Sequence, residues 1–320
     1  MQKLITDALL LVLGTAIVLW GADRFTDSAS ALARRWKVSE MVIGLTVVAI
    51  GTSLPEFVVS FFSAIRGIGD MSIGNILGSN VFNTLVIIGA SALMLPMAVA
   101  RSTVYRDMML SLGAAIALWA LCHNGTLDLW NGLVLLVIFG MFMGYTFYIA
   151  KHQRRSALQS ENGHKQASTE MPLRRIIVLQ LLGLAALVGG GQLMVDSASS
   201  LAVACGMSKG MVGLTILAAG TSLPELATSV AAARKGSKGL ALGNVLGSNI
   251  FNICLVLGVT SLIHPIQADG ITVIDWTVLI GSGVLLAVVA WTRHIIGRAE
   301  GALLLLAYLT YLAWLILNVL

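Results

Sequence analysis

The strongest constraint on this chain is an internal repeat at a constant offset of 169 residues. Residues 44–60 read GLTVVAIGTSLPEFVVS and residues 213–229 read GLTILAAGTSLPELATS, with 11 of 17 positions identical. Residues 74–83 (GNILGSNVFN) and 243–252 (GNVLGSNIFN) agree at eight of ten positions. A shorter match, Asp-Ser-Ala-Ser, begins at Asp27 and again at Asp196. A gapless repeat of this length predicts two copies of one structural unit.

The solvent of this chain is predicted to be a lipid bilayer. Hydrophobic residues make up 57% of the 320 positions and charged residues only 11%, whereas soluble proteins carry about 25% charged residues. A membrane-spanning helix needs roughly 20 apolar residues, and the apolar runs give ten candidates. They are residues 4–22, 38–64, 71–98, 103–122, 127–150, 175–195, 207–233, 239–264, 272–292 and 301–320.

The predicted fold is an all-α membrane protein of two inverted five-helix repeats, with broken helices at a midplane ion site. Five candidate helices lie in residues 1–150 and five in 175–320, and the polar stretch 151–174 forms a flexible cytoplasmic linker. Because each repeat has an odd number of spans, the second copy must be inverted in the membrane. Inverted repeats are typical of secondary transporters, whose substrate site lies where the repeats meet.

The basic residues predict the orientation of the chain. Alternate connections contain 17 of the 20 Lys and Arg residues, and the other side receives only Lys3, Arg66 and Lys209. The positive-inside rule then predicts a protein of the plasma or inner membrane with both termini outside the cytoplasm. Since the charges form short clusters between apolar runs and no stripe, the net charge of +5 does not indicate a nucleic-acid partner. No obligate protein partner is evident either.

Two acidic residues, Glu56 and Glu225, are interpreted as the only acids deep within the apolar segments, and they occupy matching positions in the repeats. A charged side chain at the bilayer centre costs about 2.5–3.5 kcal/mol on insertion scales. No buried Lys or Arg is expected nearby, so compensation must come from protonation or from bound cations.

Each glutamate follows the sequence Gly-Thr-Ser-Leu-Pro. Pro55 has no N–H to donate to the carbonyl of Gly51, so the helix is predicted to open there, and Pro224 and Gly220 repeat the arrangement. Unpaired carbonyls at membrane depth are tolerated where they line a cavity or hold an ion. Thr52 and Ser53 add hydroxyl groups within one turn of the first break, as Thr221 and Ser222 do at the second.

The neighbouring motif adds two pairs of polar side chains, Ser79 with Asn83 and Ser248 with Asn252. Each pair is spaced i, i+4 and therefore shares one helical face. Glycines in the same motif permit close approach of helices; they are Gly74, Gly78, Gly243 and Gly247. All the candidate ligands are oxygen atoms, which hard cations such as calcium and sodium prefer.

These two motifs resemble the alpha-repeats of the sodium/calcium exchangers, within the wider cation/calcium exchanger superfamily. The short linker is similar to that of the prokaryotic members. The resemblance implies exchange of sodium for calcium by alternating access, with the first and sixth helices sliding over the core, and it implies neither enzymatic activity nor a cofactor. It also implies a set of ion ligands from both repeats. They are Ala49 (carbonyl), Thr52, Ser53, Glu56, Ser79, Asn83, Ala218 (carbonyl), Thr221, Ser222, Glu225, Ser248 and Asn252.

Three alternatives remain open on the sequence. A calcium/proton antiporter would use the same glutamates, which protonate as calcium leaves. An intramembrane enzyme would need a nucleophile with its base, yet Ser53 beside Glu56 has no His or Lys in its motif. A passive channel would conduct without a counter-ion. Asn252 stands where some members of the family carry Asp, and it favours the potassium-independent type.

Overall fold

The computed structural model describes residues 2–65, 69–160, 171–204, 218–268 and 270–319, most of which are helical. The helices are α1 (Gln2–Trp36), α2 (Glu40–Thr52), α3 (Leu54–Ile65), α4 (69–94), α5 (Thr103–Leu121), α6 (Leu129–Ser160), α7 (Leu173–Ala204), α8 (Ala218–Gly220), α9 (Leu223–Arg234), α10 (Lys238–Ile263), α11 (Val273–Arg293) and α12 (Arg298–Val319). Four of them contain π-helical turns, at Gly44–Val48, Asn83–Ile87, Thr103–Met108 and Phe251–Leu257.

The helices confirm the predicted fold class. Eight described helices are long and apolar enough to cross a membrane, and the bent pair α2–α3 forms a ninth candidate span. The remaining predicted segment, the seventh along the chain (207–233), begins in residues 205–217, which lie outside the described part of the chain. Its described remainder is α8 and α9.

Three helices are longer than predicted. The first was expected to end at residue 22 and continues to Trp36, and the sixth was expected to end at residue 195 and continues to Ala204. The fifth extends to Ser160, so residues 151–160 of the predicted linker are helical. Charged residues lower the hydropathy of a segment without breaking a helix. Arg34 and Arg35 in the last turn of α1 even stabilise the helix, because their positive charges interact favourably with the negative end of the helix dipole.

The predicted helix break in the first repeat is confirmed. α2 and α3 meet at Ser53 with a bend of 47°. Ser53 has φ −84° and ψ 9°, and Ser222, its equivalent before α9, has φ −88° and ψ 8°. The same backbone conformation therefore precedes Pro55 and Pro224, as expected from a proline that cannot donate to the preceding turn.

Two short antiparallel ribbons, which the sequence did not predict, join the repeats. Strand β1 (Met97–Ala98) pairs with β4 (Ile295–Ile296), and β2 (Thr126–Leu127) pairs with β3 (Ile266–Gln267). The repeat offset maps β1 onto β3 and β2 onto β4, so one ribbon is the symmetry equivalent of the other. Each strand has only two residues, too few for an alternating pattern to be recognised.

α1 packs against α7 through glycines. A Cβ atom added at Gly14 would lie 3.0 Å from the carbonyl oxygen of Gly190, and one at Gly21 would lie 2.9 Å from that of Gly183. The repeat offset relates Gly14 to Gly183 and Gly21 to Gly190, so the two contacts are symmetry equivalents. Small residues here let the helix backbones touch, as is typical of membrane helix pairs.

α2 and α10 make a similar contact beside the predicted site. A Cβ added at Gly243 would lie 2.6 Å from the carbonyl oxygen of Met41, and one at Gly247 would lie 2.7 Å from that of Leu45. The close approach predicted for these two glycines is confirmed. For Gly74 and Gly78 the repeat offset places the equivalent contacts at residues 210 and 214, which lie outside the described part of the chain, so the close approach predicted there stays a prediction.

A third acidic residue is buried, which corrects the interpretation that Glu56 and Glu225 were the only ones. Asp107, in the π-helical turn that opens α5, is 2% exposed. Arg106 donates to both of its carboxylate oxygens, at 2.6 and 2.8 Å. Asp107 therefore has a cationic partner and needs no bound ion.

Candidate cation-binding site

Glu56 and Glu225 lie in the first turns of α3 and α9 and are fully buried. Each accepts a hydrogen bond from the opposite repeat. The Ser53 hydroxyl donates to Glu225 Oε1 at 2.7 Å, and the Ser222 hydroxyl donates to Glu56 Oε1 at 3.0 Å. The Ser248 hydroxyl also lies 3.5 Å from Glu225 Oε1. The two broken helices therefore cross so that each carboxylate faces the other repeat's serine.

A set of buried acceptor oxygens at this crossing has no hydrogen-bond partner among the described residues. They are Glu56 Oε2, Glu225 Oε2, Ser79 Oγ, Asn83 Oδ1 and Asn252 Oδ1. Buried polar atoms normally find partners, and an unpaired one costs about 1–3 kcal/mol. The serine–glutamate hydrogen bonds bring residues of both repeats together here, and oxygens left without partners beside them are the kind of ligand that a bound cation would need.

The threonines of the site are held by two asparagines that the sequence analysis did not identify as site residues. Thr52 donates to Asn244 Oδ1 at 3.1 Å, and Thr221 donates to Asn75 Oδ1 at 3.4 Å. Asn244 Nδ2 in turn donates to Ser229 Oγ at 2.9 Å. When a threonine hydroxyl donates its hydrogen bond to an amide oxygen, its own oxygen lone pairs remain available for an ion.

A second pair of asparagines, Asn80 and Asn249, was also missed. Asn83 Nδ2 donates to Asn249 Oδ1, and Asn252 Nδ2 donates to Asn80 Oδ1, both at 3.2 Å. One signal could have revealed all four residues, because each is identical in both copies of the Gly-Asn-x-Leu-Gly-Ser-Asn motif. In that motif every polar residue contributes to the site or to its hydrogen-bond network.

The predicted carbonyl ligands lie in the turns before the two breaks. Ala49 is buried in the last turn of α2, and its carbonyl accepts from the Ser53 N–H at 3.0 Å, which leaves its second lone pair free. Ala218 begins the short helix α8. The two halves are unequally covered: Thr52 and Asn244 are buried, whereas Thr221 and Asn75 are only half-buried.

The electrostatics of the cluster favour a cation. In the described part of the chain, no Lys, Arg or His lies within ion-pair distance of Glu56 or Glu225. When both carboxylates are ionised they supply a charge of −2, surrounded by hydroxyl and amide oxygens. A divalent ion would neutralise this charge, and calcium takes six to eight such oxygen ligands.

Comparison with known proteins places the whole chain among membrane exchangers. A family model described as sodium/calcium exchanger protein matches residues 6–148 and 175–317. The inner membrane protein YrbG of Escherichia coli is 34% identical over 310 residues, which cover 96% of this chain and 95% of that protein. The sodium/calcium exchanger MaX1 of Methanosarcina acetivorans is 32% identical, with 95% of this chain and 97% of that protein covered.

The fold is also similar to solved structures of the sodium-calcium exchanger NCX_Mj. One of these, soaked with sodium and strontium, superposes with a TM-score of 0.82 at 32% sequence identity. The match covers 97% of this chain and 98% of that one. The two regions that the family model matches are the two repeats, separated by residues 149–174.

Proposed function

Since this chain belongs to the sodium/calcium exchanger family, we propose that it exchanges sodium for calcium across a cell membrane through the cluster between the repeats. The observation that carries the proposal is the set of unpaired buried oxygens on Glu56, Glu225, Asn83, Asn252 and Ser79. The ligands are the residues predicted from the motifs, with the carbonyl oxygens of Ala49 and Ala218.

Charge balance makes the exchange obligatory. One calcium ion neutralises the two glutamates, and two or three sodium ions occupy the same oxygens in its place. A site without ions leaves two unpaired charges at membrane depth, and each charge costs about 2.5–3.5 kcal/mol. This penalty disfavours movement of the empty site, so calcium crosses in one direction only when sodium crosses in the other.

Sodium is proposed as the counter-ion, in place of the proton, because the site contains many uncharged oxygen atoms. Proton exchange requires only the two carboxylates of Glu56 and Glu225. The hydroxyl groups of Thr52 and Ser79 and the amides of Asn83 and Asn252 add uncharged oxygens suited to sodium. With Asn252 in place of an acid, the site carries two formal charges, and the exchange is proposed to be independent of potassium.

The counter-ion can be tested by calcium-45 uptake into proteoliposomes loaded with sodium, potassium or choline at equal pH. We expect uptake only into the sodium-loaded vesicles, with no dependence on added potassium. Uptake that is independent of sodium but follows an imposed pH gradient would contradict sodium as the counter-ion and indicate a calcium/proton antiporter. Uptake with no counter-ion inside would indicate a channel.

Both termini are proposed to lie outside the cytoplasm. Two contacts support a common face for the basic clusters: Gln153 Oε1 accepts from the Ser39 N–H, and Lys235 Nζ donates to Asp27. The first joins α6 to the residue before α2, and the second joins the residue after α9 to α1. A tag added at the N-terminus should react with a membrane-impermeant reagent in intact cells. Reaction only after the cells are opened would reverse the orientation.

A further inference from the structure

Asn80 and Asn249 make the hydrogen bonds that orient two of the ion ligands. We propose that they are positioning residues, which turn the side-chain oxygens of Asn252 and Asn83 toward the bound cation. The inference rests on the proposed function, because it deepens the account of the same site. It assigns the two residues a role in calcium affinity without direct contact to the ion.

The need for positioning arises from the asparagine side chain itself. Its oxygen and its NH2 group have nearly the same shape, but only the oxygen can ligate a cation. Packing alone distinguishes the two poorly, so hydrogen bonds must select the orientation. In both Asn83 and Asn252 the NH2 group donates to the side-chain oxygen of an asparagine in the other repeat, and the residue's own side-chain oxygen has no partner among the described residues.

The orientation of Asn252 is set by a main-chain group. Asn80 Nδ2 donates to the backbone carbonyl of Asn249 at 3.1 Å. A carbonyl can only accept, so the NH2 group of Asn80 must face it and Asn80 Oδ1 must face Asn252. This oxygen accepts the Asn252 NH2 group at 3.2 Å, which directs Asn252 Oδ1 away from Asn80.

The orientation of Asn83 depends on a hydroxyl. Asn249 Nδ2 donates to Thr84 Oγ1 at 2.9 Å, and Asn249 Oδ1 accepts from Asn83. A hydroxyl can donate as well as accept, so this branch is held less firmly than the branch through Asn80. A small cavity lined in part by Asn80, Thr84, Asn249 and Ser111 borders both branches, so packing is incomplete on that side of these amides.

The test measures calcium binding to the purified full-length protein by titration calorimetry. Asn80→Leu and Asn249→Leu keep the side-chain size but remove the amide. Loss of a partner that orients a metal ligand typically costs 10- to 100-fold in affinity, and we expect roughly this loss for each variant. Thr84→Val, a milder change, should give a smaller loss.

Double variants, in which a positioning residue and its proposed ligand are both substituted, distinguish a positioning role from a general effect on stability. If Asn80 acts through Asn252, then Asn80→Leu should cost nothing further in an Asn252→Ala background. The same holds for Thr84→Val in an Asn83→Ala background, which decides the question if Asn80→Leu does not fold. Multiplicative losses in these double variants would overturn the proposal.

A matched control is Asn131→Leu. Asn131 Nδ2 donates to the carbonyl of Leu121 at 3.1 Å, in a part of the fold without candidate ligands. It should lower the melting temperature without changing calcium affinity. Wild-type protein that binds no calcium would overturn the proposed function as well. Wild type that binds calcium, with Asn80→Leu binding equally well, would overturn the positioning role alone.

Discussion

We expect Glu225→Gln to abolish sodium-driven calcium uptake in proteoliposomes. The substitution keeps the shape of the side chain and an acceptor for the Ser53 hydroxyl, but it halves the negative charge of the site. Removing one partner of a buried charge pair costs about 3–5 kcal/mol, or roughly two to three and a half orders of magnitude in calcium affinity. Because Glu56 occupies the equivalent position, Glu56→Gln should cause the same loss.

The control for this prediction is Glu300→Gln. Glu300 accepts from the Gly297 N–H at 3.1 Å at the start of α12, and the variant should exchange calcium normally. The melting temperatures of the two proteins, measured with and without calcium, provide a second test. Without ions, Glu225→Gln should be at least as stable as the wild type, because it no longer buries that charge. Calcium should then raise the melting temperature of the wild type only. Normal uptake by Glu225→Gln would contradict the paired-glutamate site.

The second large effect is expected at Gly21. A Cβ atom there would lie 2.8 Å from Ala186 Cβ and 2.9 Å from the Gly183 carbonyl oxygen, so even alanine must push α1 away from α7. Overpacking of this kind costs about 1–3 kcal/mol. We expect Gly21→Ala to lower the melting temperature and slow exchange, and Gly21→Val to stop it.

Gly140→Ala serves as the matched control. Within the described residues, no atom comes within 4 Å of a Cβ added at Gly140 on α6. Alanine is favoured over glycine in a helix by about 0.5–1 kcal/mol, so this variant should be as stable as the wild type or slightly more stable. If Gly21→Ala behaved like Gly140→Ala in melting and in transport, the close contact between α1 and α7 would not matter.

The sequence predicted the parts of this fold that depend on local chemistry. Pro55 and Pro224 cannot donate to the preceding turn, so the helix breaks could be placed within a residue or two. A glutamate repeated in an apolar segment is costly wherever it occurs, so Glu56 and Glu225 could be identified without coordinates. Helix ends were predicted poorly, as α1 shows, since charged residues near position 30 do not terminate a helix.

The asparagine contacts could not be predicted, because they join residues far apart in the chain. Asn83 and Asn249 are separated by 166 residues, and Asn80 and Asn252 by 172. Helical spacing shows which side chains share a face, but not which amide of the other repeat faces them. The repeat did carry a hint, since a polar residue kept identical in both copies requires a physical reason in each.

The ribbons between the repeats also determine which parts of the molecule can move independently. They connect the ends of six helices, α4, α5, α6, α10, α11 and α12. Adjacent bonds from Val99 N to His294 O and from Ala268 N to Gly125 O, both 2.8 Å, extend the ribbons. Displacing these helices relative to one another would break main-chain hydrogen bonds in both ribbons. In the described residues α1 and α7 carry no such strand, and they touch each other through glycines. A displacement of α1 and α7 would therefore leave the main-chain hydrogen bonds of both ribbons intact, and the bonds that it must break are side-chain contacts such as Lys235 Nζ to Asp27.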